Sequence, residues 1–115
     1  MDIELIRGDT YQLKFQRKLI DDTVITQKPD EMYMTFKRNY NEIGYVLQKR
    51  LSRNEIIFNE DDNYYYVTIE PEDTNDLDYG SYVFDIETKV GKVVKTIVLG
   101  KLKIKKEVTF AENEV

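Results

Sequence analysis

An every-second-residue rhythm of large apolar side chains constrains this chain more than any other feature. Tyr11, Leu13 and Phe15 form one row, Met32, Met34 and Phe36 a second, Tyr65, Val67 and Ile69 a third, and Tyr82, Phe84 and Ile86 a fourth. A period of two is that of a strand with one buried face. Polar residues such as Gln12, Lys14, Thr35, Lys37, Thr68 and Asp85 take the alternate positions, which suits antiparallel sheets packed as a sandwich, each with one wet face. A helical stripe is sustained nowhere. The exception is "EPEDTNDL", where Pro71 can open a helical turn and Glu72 and Asp73 suit its positive end. One short helical turn near residues 71-77 is therefore expected.

A chain of 115 residues fits one domain, which at this size buries roughly two-thirds of the surface its unfolded chain exposes. We place that domain at residues 1-110 and expect a frayed tail at 111-115. The sequence has neither cysteine nor histidine, which removes disulfides, thiol nucleophiles, thiolate and imidazole metal ligands and the usual neutral-pH proton shuttle. No cofactor is expected. The first residues, "MDIELIRGDT", lack the basic start and apolar run of a secretory signal, and no apolar stretch is long enough for a membrane span. A soluble protein without membrane insertion is the expectation.

Net charge is -5, which argues against nucleic acid as a partner, because such binders neutralise phosphates with lysine and arginine. The charge is also unevenly placed. Eleven acidic residues and no lysine or arginine lie between Asn54 and Thr88, whereas Lys89 to Lys106 holds seven lysines and no acid. Oppositely charged strands lying side by side explain this; so would paired surfaces on which copies of the chain stack.

Between residues 39 and 63, "YVLQKRL" and "EIIF" read as short strands, placed at an edge and joined by polar loops. Further on, loop parity decides which faces meet in the hairpin after Ile86. A three-residue loop of Lys89, Val90 and Gly91 would oppose Asp85 to Lys95, Ile86 to Val94 and Tyr82 to Val98, and this odd loop is predicted. From Val93 to Lys106 only Gly100 interrupts one long strand, and it reads as the site of a bulge or bend.

In "LDYGSYVF", Asp78, Gly80, Tyr82 and Phe84 follow the order acid, glycine, tyrosine, cysteine that opens strand F of immunoglobulin domains. Phe84 stands in the cysteine position. In "GDTYQLKF", Gly8, Leu13 and Phe15 similarly resemble strand B, with Phe15 in the other cysteine position. Two phenylalanines can fill by burial the centre that a disulfide would bridge, with Met34 or Phe36 in place of the central tryptophan. An ordinary strand after an Asp-Tyr-Gly turn is the competing reading of the tyrosine motif. The fold class is thus all-β, an immunoglobulin-like antiparallel β-sandwich.

Candidate chemistry is sparse. The acids of "NEDDN", residues 59 to 63, lack the spacing of a calcium loop and read as a solvated loop; Asp21 and Asp22 read as a turn. No carboxylate pair stands out for acid and base work, and an enzyme is not expected. If Tyr65, Val67 and Ile69 face inward, Tyr64 and Tyr66 face outward and form either a contact patch for protein or sugar or plain cross-strand packing. The tripeptide Arg7-Gly8-Asp9 matches adhesion ligands, but Gly8 and Asp9 are turn formers where "DIELI" gives way to "TYQLKF". On that reading Asp9→Glu affects stability rather than cell attachment.

Nearly the whole chain, through "RGDTYQLKF", "YGSYVFDIET" and "KTIVLGKLKIKKEVTF", resembles small tail or baseplate-associated proteins of phages and prophages of Gram-positive bacteria, including the N-terminal domains of upper baseplate proteins. The resemblance implies a non-catalytic structural or interaction module. Its partners would be other phage structural proteins or copies of itself, in the bacterial cytoplasm during assembly and then in the virion. The alternative is a carbohydrate-binding or adhesion module of bacterial origin.

Overall fold

The computed structural model describes residues 1–107; the expected tail at 111-115 and the last residues of the 1-110 domain lie outside the described residues. The strands are β1 (Asp2–Ile6), β2 (Tyr11–Phe15), β3 (Glu31–Lys37), β4 (Leu47–Arg50), β5 (Ile56–Asn59), β6 (Tyr64–Ile69), β7 (Gly80–Val90) and β8 (Val93–Lys105). One 3₁₀ turn (Leu51–Arg53) and one helical turn, α1 (Pro71–Thr74), complete the order. The helical turn begins at Pro71 and is fixed by a reciprocal capping box between Glu70 and Asp73, which satisfies two backbone donors that a helix start leaves open.

The sheets run β1-β8-β7-β3-β4 and β2-β6-β5. With β2, β3, β7 and β8 read as strands B, C, F and G, this is an immunoglobulin-like sandwich. The four apolar rows meet between the sheets: Met32, Met34, Phe36, Tyr65, Val67, Ile69 and Ile86 are fully buried, and Leu13, Phe15, Tyr82 and Phe84 nearly so. Burial of each such side chain stabilises by about 1.5–3 kcal/mol. The short strands expected between residues 39 and 63 are β4 and β5, each at an edge of its own sheet.

One pairing departs from a wholly antiparallel sandwich, because β1 runs parallel to β8, with Asp2 opposite Lys101 and Ile6 opposite Lys105. The chain must leave β1 for the other sheet at Gly8, whose φ is 86°. Thus β1 takes the free edge of β8 rather than that of β2. This also corrects the charge pattern: the acids beside the lysine-rich strand come from Asp2 and Glu4, with Glu4 and Lys105 2.9 Å apart, while β7 sets Ser81 and Val83 against Lys103 and Lys101.

The hairpin between β7 and β8 differs from the predicted odd loop. Val90 pairs with Val93, leaving a two-residue turn of Gly91 and Lys92 with Gly91 at φ 59°. That turn alone would set inward positions against outward ones. A register shift between Ile86 and Glu87 corrects the parity, so that Ile86 faces Val98 and Tyr82 faces Leu102. The extra residue is Ile97, between Thr96 and Val98, and the bulge sits there rather than at Gly100. Gly100 has another cause: a Cβ on it would lie 1.9 Å from the Met1 carbonyl oxygen and 2.6 Å from Phe84 Cζ. The Phe84 ring fills the space that a side chain at position 100 would take.

The two phenylalanines in the cysteine positions also pair differently from the expectation. Phe84 packs on its cross-strand neighbour Phe36 at 5.2 Å between centroids, and Phe15 stacks on Tyr65 at 5.5 Å. Their ring contacts lie within sheets. Phe36 is the ring that packs on Phe84, as the central tryptophan would meet a disulfide.

Candidate functional site

Two outer sheet faces and one end of the sandwich carry the polar and exposed side chains from which a site could be built. On the three-stranded sheet, β6 alternates fully buried Tyr65, Val67 and Ile69 with outward Tyr64 and Tyr66. The outward tyrosines are half-buried and engaged. Tyr66 donates its hydroxyl to Asp62 Oδ2 at 2.5 Å, and Lys14 Nζ lies 4.7 Å from the Tyr64 ring centroid. The Tyr66 bond holds the Asp62 carboxyl below its ordinary range and pushes the Tyr66 hydroxyl up. The rings are 6.4 Å apart and tilted by 51°, so they do not make a flat stacking platform. Beside them lies an open groove lined by Gln12, Ile57, Asn59, Asp61 and Tyr66.

Of the acids in residues 59 to 63, Asp62 is used locally: its Oδ1 accepts from Tyr64 N at 2.9 Å, and in the same turn Asn59 Oδ1 accepts from Asp61 N at 2.8 Å. Asp21 accepts from Thr23 N, and Asp22 is left-handed at φ 68°. Both clusters are turns.

At the end where β1 passes to β2, the Arg-Gly-Asp tripeptide forms a turn in which Asp9 N donates to Ile6 O at 3.0 Å and Gly8 N to Thr74 Oγ1 at 3.0 Å. Arg7 does not project. Its guanidinium grips Glu107 through two bonds of 3.2 and 2.8 Å, donates to the Leu77 carbonyl at 3.3 Å and lies over the Tyr79 ring at 4.3 Å. The Arg7 bond holds the Glu107 carboxyl below its ordinary range. An adhesion ligand needs the arginine free, and here it ties β1 to the chain beyond β8. The Asp9 side chain is exposed, so the stabilising role within the tripeptide belongs to Arg7 and Gly8.

The same end contains the tyrosine corner. Tyr82 donates its hydroxyl to the Asp78 carbonyl four residues upstream at 2.7 Å, the contact that gives the motif its name. Gly80 between them has φ 129°, a value that side chains rarely tolerate. The Asp78 carboxylate pairs with Arg38 at 3.1 Å. Nearby, Lys49 occupies an inward position on β4 and reaches Asp73 of the capping box at 2.7 Å, pinning α1 to the sandwich. Gly8, Asp9, Asp78, Gly80 and Tyr82 thus lie at turns and a corner.

The feature that sequence reasoning missed lies on the outer face of the five-stranded sheet. Its middle row runs Leu99, Asp85, Thr35, Gln48 across β8, β7, β3 and β4. Around Asp85, a hollow of about 160 Å³ is lined by Thr35, Lys37, Tyr40, Val83 and Leu99. Burial pushes the Asp85 carboxyl above its ordinary value, and Lys37 opposes the shift only partly. The apolar rim is open to solvent, with Tyr40 66% and Leu99 62% exposed. A second hollow, shared through Asp85, continues along Tyr33, Glu87, Lys89 and Val94. The one sequence signal was Asp85 itself, an acid between the apolar residues of β7.

Among the described residues, no helix is long and apolar enough to cross a membrane. No protein-family model and no curated protein sequence matches the chain.

Proposed function

We propose that this domain is a non-catalytic interaction module that works by protein-protein assembly, and that its setting is the tail or baseplate of a phage or prophage. The observation that supports assembly is the outer face of the five-stranded sheet. A partly desolvated carboxylate stands there among exposed apolar side chains, an arrangement that is costly when bare and favourable once a partner supplies a cation and covers the rim. The phage setting rests on the sequence resemblance alone. Assembly would take place in the bacterial cytoplasm, with the virion as the destination.

Titrating the purified domain against the proteins that its flanking genes encode, by calorimetry, tests this reading. Binding that Leu99→Asp weakens supports it; no binding to any of them, and no self-association, removes it. The alternative is a carbohydrate-binding or adhesion module, favoured by the open groove in which Gln12, Asn59 and Asp61 present hydrogen-bonding groups beside Tyr66. Glycan-array binding by the monomer, lost on Tyr66→Ser, would favour that alternative.

A further inference from the structure

The outer face of the five-stranded sheet carries opposite charge on its two halves. Toward the hairpin tip, its outward positions hold Asp85, Glu87 and Glu31 against Arg50 and Lys89. Toward the other end stand Lys37, Lys101, Lys103 and Lys105 against Asp2 and Glu4. The first half sums to -1 and the second to +2, from the residues named. Between the halves lies the apolar strip of Leu99, Val83 and Tyr40, which lines the hollow over Asp85.

We infer that this face is a self-association surface, on which a second copy of the chain docks face to face about a two-fold axis lying across the strands. Such an axis turns one copy end for end, so the acidic half of each copy covers the lysine half of the other. On β7 the outward order toward the tip is Ser81, Val83, Asp85, Glu87; on β8 the outward order away from it is Leu99, Lys101, Lys103, Lys105. With the axis between the rows of Val83 and Asp85, Asp85 of each copy meets Lys101 of the other and Glu87 meets Lys103. Both pairs form twice, as an isologous contact requires. The apolar strip is then closed at the centre, and the charges form the rim that sets the register.

The size suits a weak, reversible contact. At any level of the sheet at most four strands lie side by side, and at about 4.8 Å spacing with seven residues at about 3.3 Å rise they give a face of about 19 by 23 Å before side-chain relief is counted, below the roughly 800 Å² per partner of a standard interface. This inference rests on the assembly reading and names the partner. The three-stranded sheet has no comparable division of charge: its outward positions hold Lys14 with Gln12, Tyr64, Tyr66, Thr68, Ile57 and Asn59.

Sedimentation equilibrium of the full chain at rising concentration tests it. The expected result is a monomer-dimer equilibrium that weakens with added salt, as exposed charge pairs are screened. Leu99→Asp and Asp85→Lys should each weaken dimerisation about tenfold or more, a loss of about 1.4 kcal/mol. Adding Lys101→Glu to Asp85→Lys should recover most of it, because the reversed pair is again complementary. Leu99 and Lys101 are exposed and Asp85 reaches solvent in part, so thermal melts should show these variants folded. A chain that stays monomeric at every concentration overturns the inference, and so does a dimer indifferent to Leu99→Asp or unrescued by the charge reversal. Binding to a neighbouring tail protein by a strictly monomeric chain would leave the assembly reading standing and this inference fallen.

Discussion

The two outer faces of the sandwich carry opposite lessons. On the three-stranded sheet the conspicuous side chains satisfy one another: Tyr66 gives its proton to Asp62, and Lys14 covers Tyr64. On the five-stranded sheet an inconspicuous aspartate is half-buried, no hydrogen bond from a described residue reaches its carboxylate, and the apolar groups beside it are bare. A cluster of tyrosines attracts notice in a sequence because exposed aromatics are good contact residues. Once folded, however, the group with unmet needs points to a partner better than the group with the larger ring. The two faces therefore ask different things of mutation, and the largest effect concerns how the five-stranded sheet is built.

Gly100→Val should be the most damaging change. The new Cβ would meet the Met1 carbonyl and the Phe84 ring, so either β1 leaves its edge or Phe84 leaves the core. Overpacking of this kind costs about 3 kcal/mol, and a thermal melt should show a fall of 10 °C or more, from about 4 °C per kcal/mol at this size. Unchanged stability would mean that β1 is not tightly seated, and Asp2 and Glu4 would drop out of the charge pattern on that face. Tyr82→Phe comes next. It removes only the hydroxyl that binds the Asp78 carbonyl, and should lower stability by about 1 kcal/mol, seen as a shifted urea midpoint with an unchanged slope. A neutral result would mean that the corner contact does not hold the strand in place.

The double change Tyr64→Ser, Tyr66→Ser compares the faces directly. It strips packing and a hydrogen bond from a satisfied surface, so the melting temperature should fall by a few degrees while partner binding and self-association stay as they were. If association weakens instead, the tyrosine face is the contact surface and the roles of the two faces are reversed.

The core could be read from the sequence because it repeats a short period. All four apolar rows face inward, since side-chain alternation is a local property of a strand. The Asp78-x-Gly80-x-Tyr82 corner was readable for the same reason: its hydroxyl returns only four residues. What could not be read depends on groups far apart in the chain. Arg7 meets Glu107 across 100 residues, and Gly100 is small because of Met1 and Phe84. In the hairpin, the parity of the core register was readable but the device was not. An odd loop and an even turn with a bulge satisfy the same alternation, and the structure has the latter. Lys49 escaped notice because a lysine at an inward position is interpretable only once α1 brings Asp73 beside it. The Asp85 hollow depends on Tyr40 reaching over from the loop between β3 and β4, a contact no pattern in β7 announces.

Asp85→Asn gives the smallest effect on stability and the sharpest separation of the faces. Burial raises the Asp85 pKa in the folded chain above its ordinary 3.8, so the folded state holds this proton more tightly than the unfolded state does. The contribution is fully present below the unfolded pKa and is lost as pH rises through the folded one. At neutral pH the charged carboxylate therefore opposes folding slightly, with Lys37 and solvent offsetting part of the cost. Asparagine carries no such charge. The variant should melt about 1–3 °C higher than the parent at pH 7, and the gap should close as the pH falls through the folded pKa of Asp85. Association should change in the opposite direction, weakening at pH 7 where the parent carboxylate is ionised and able to meet a lysine. A residue that lowers monomer stability while strengthening a contact is what a binding surface requires. If Asp85→Asn lowered both together, Asp85 would be a structural residue of the sheet and the contrast between the two faces would lose its basis.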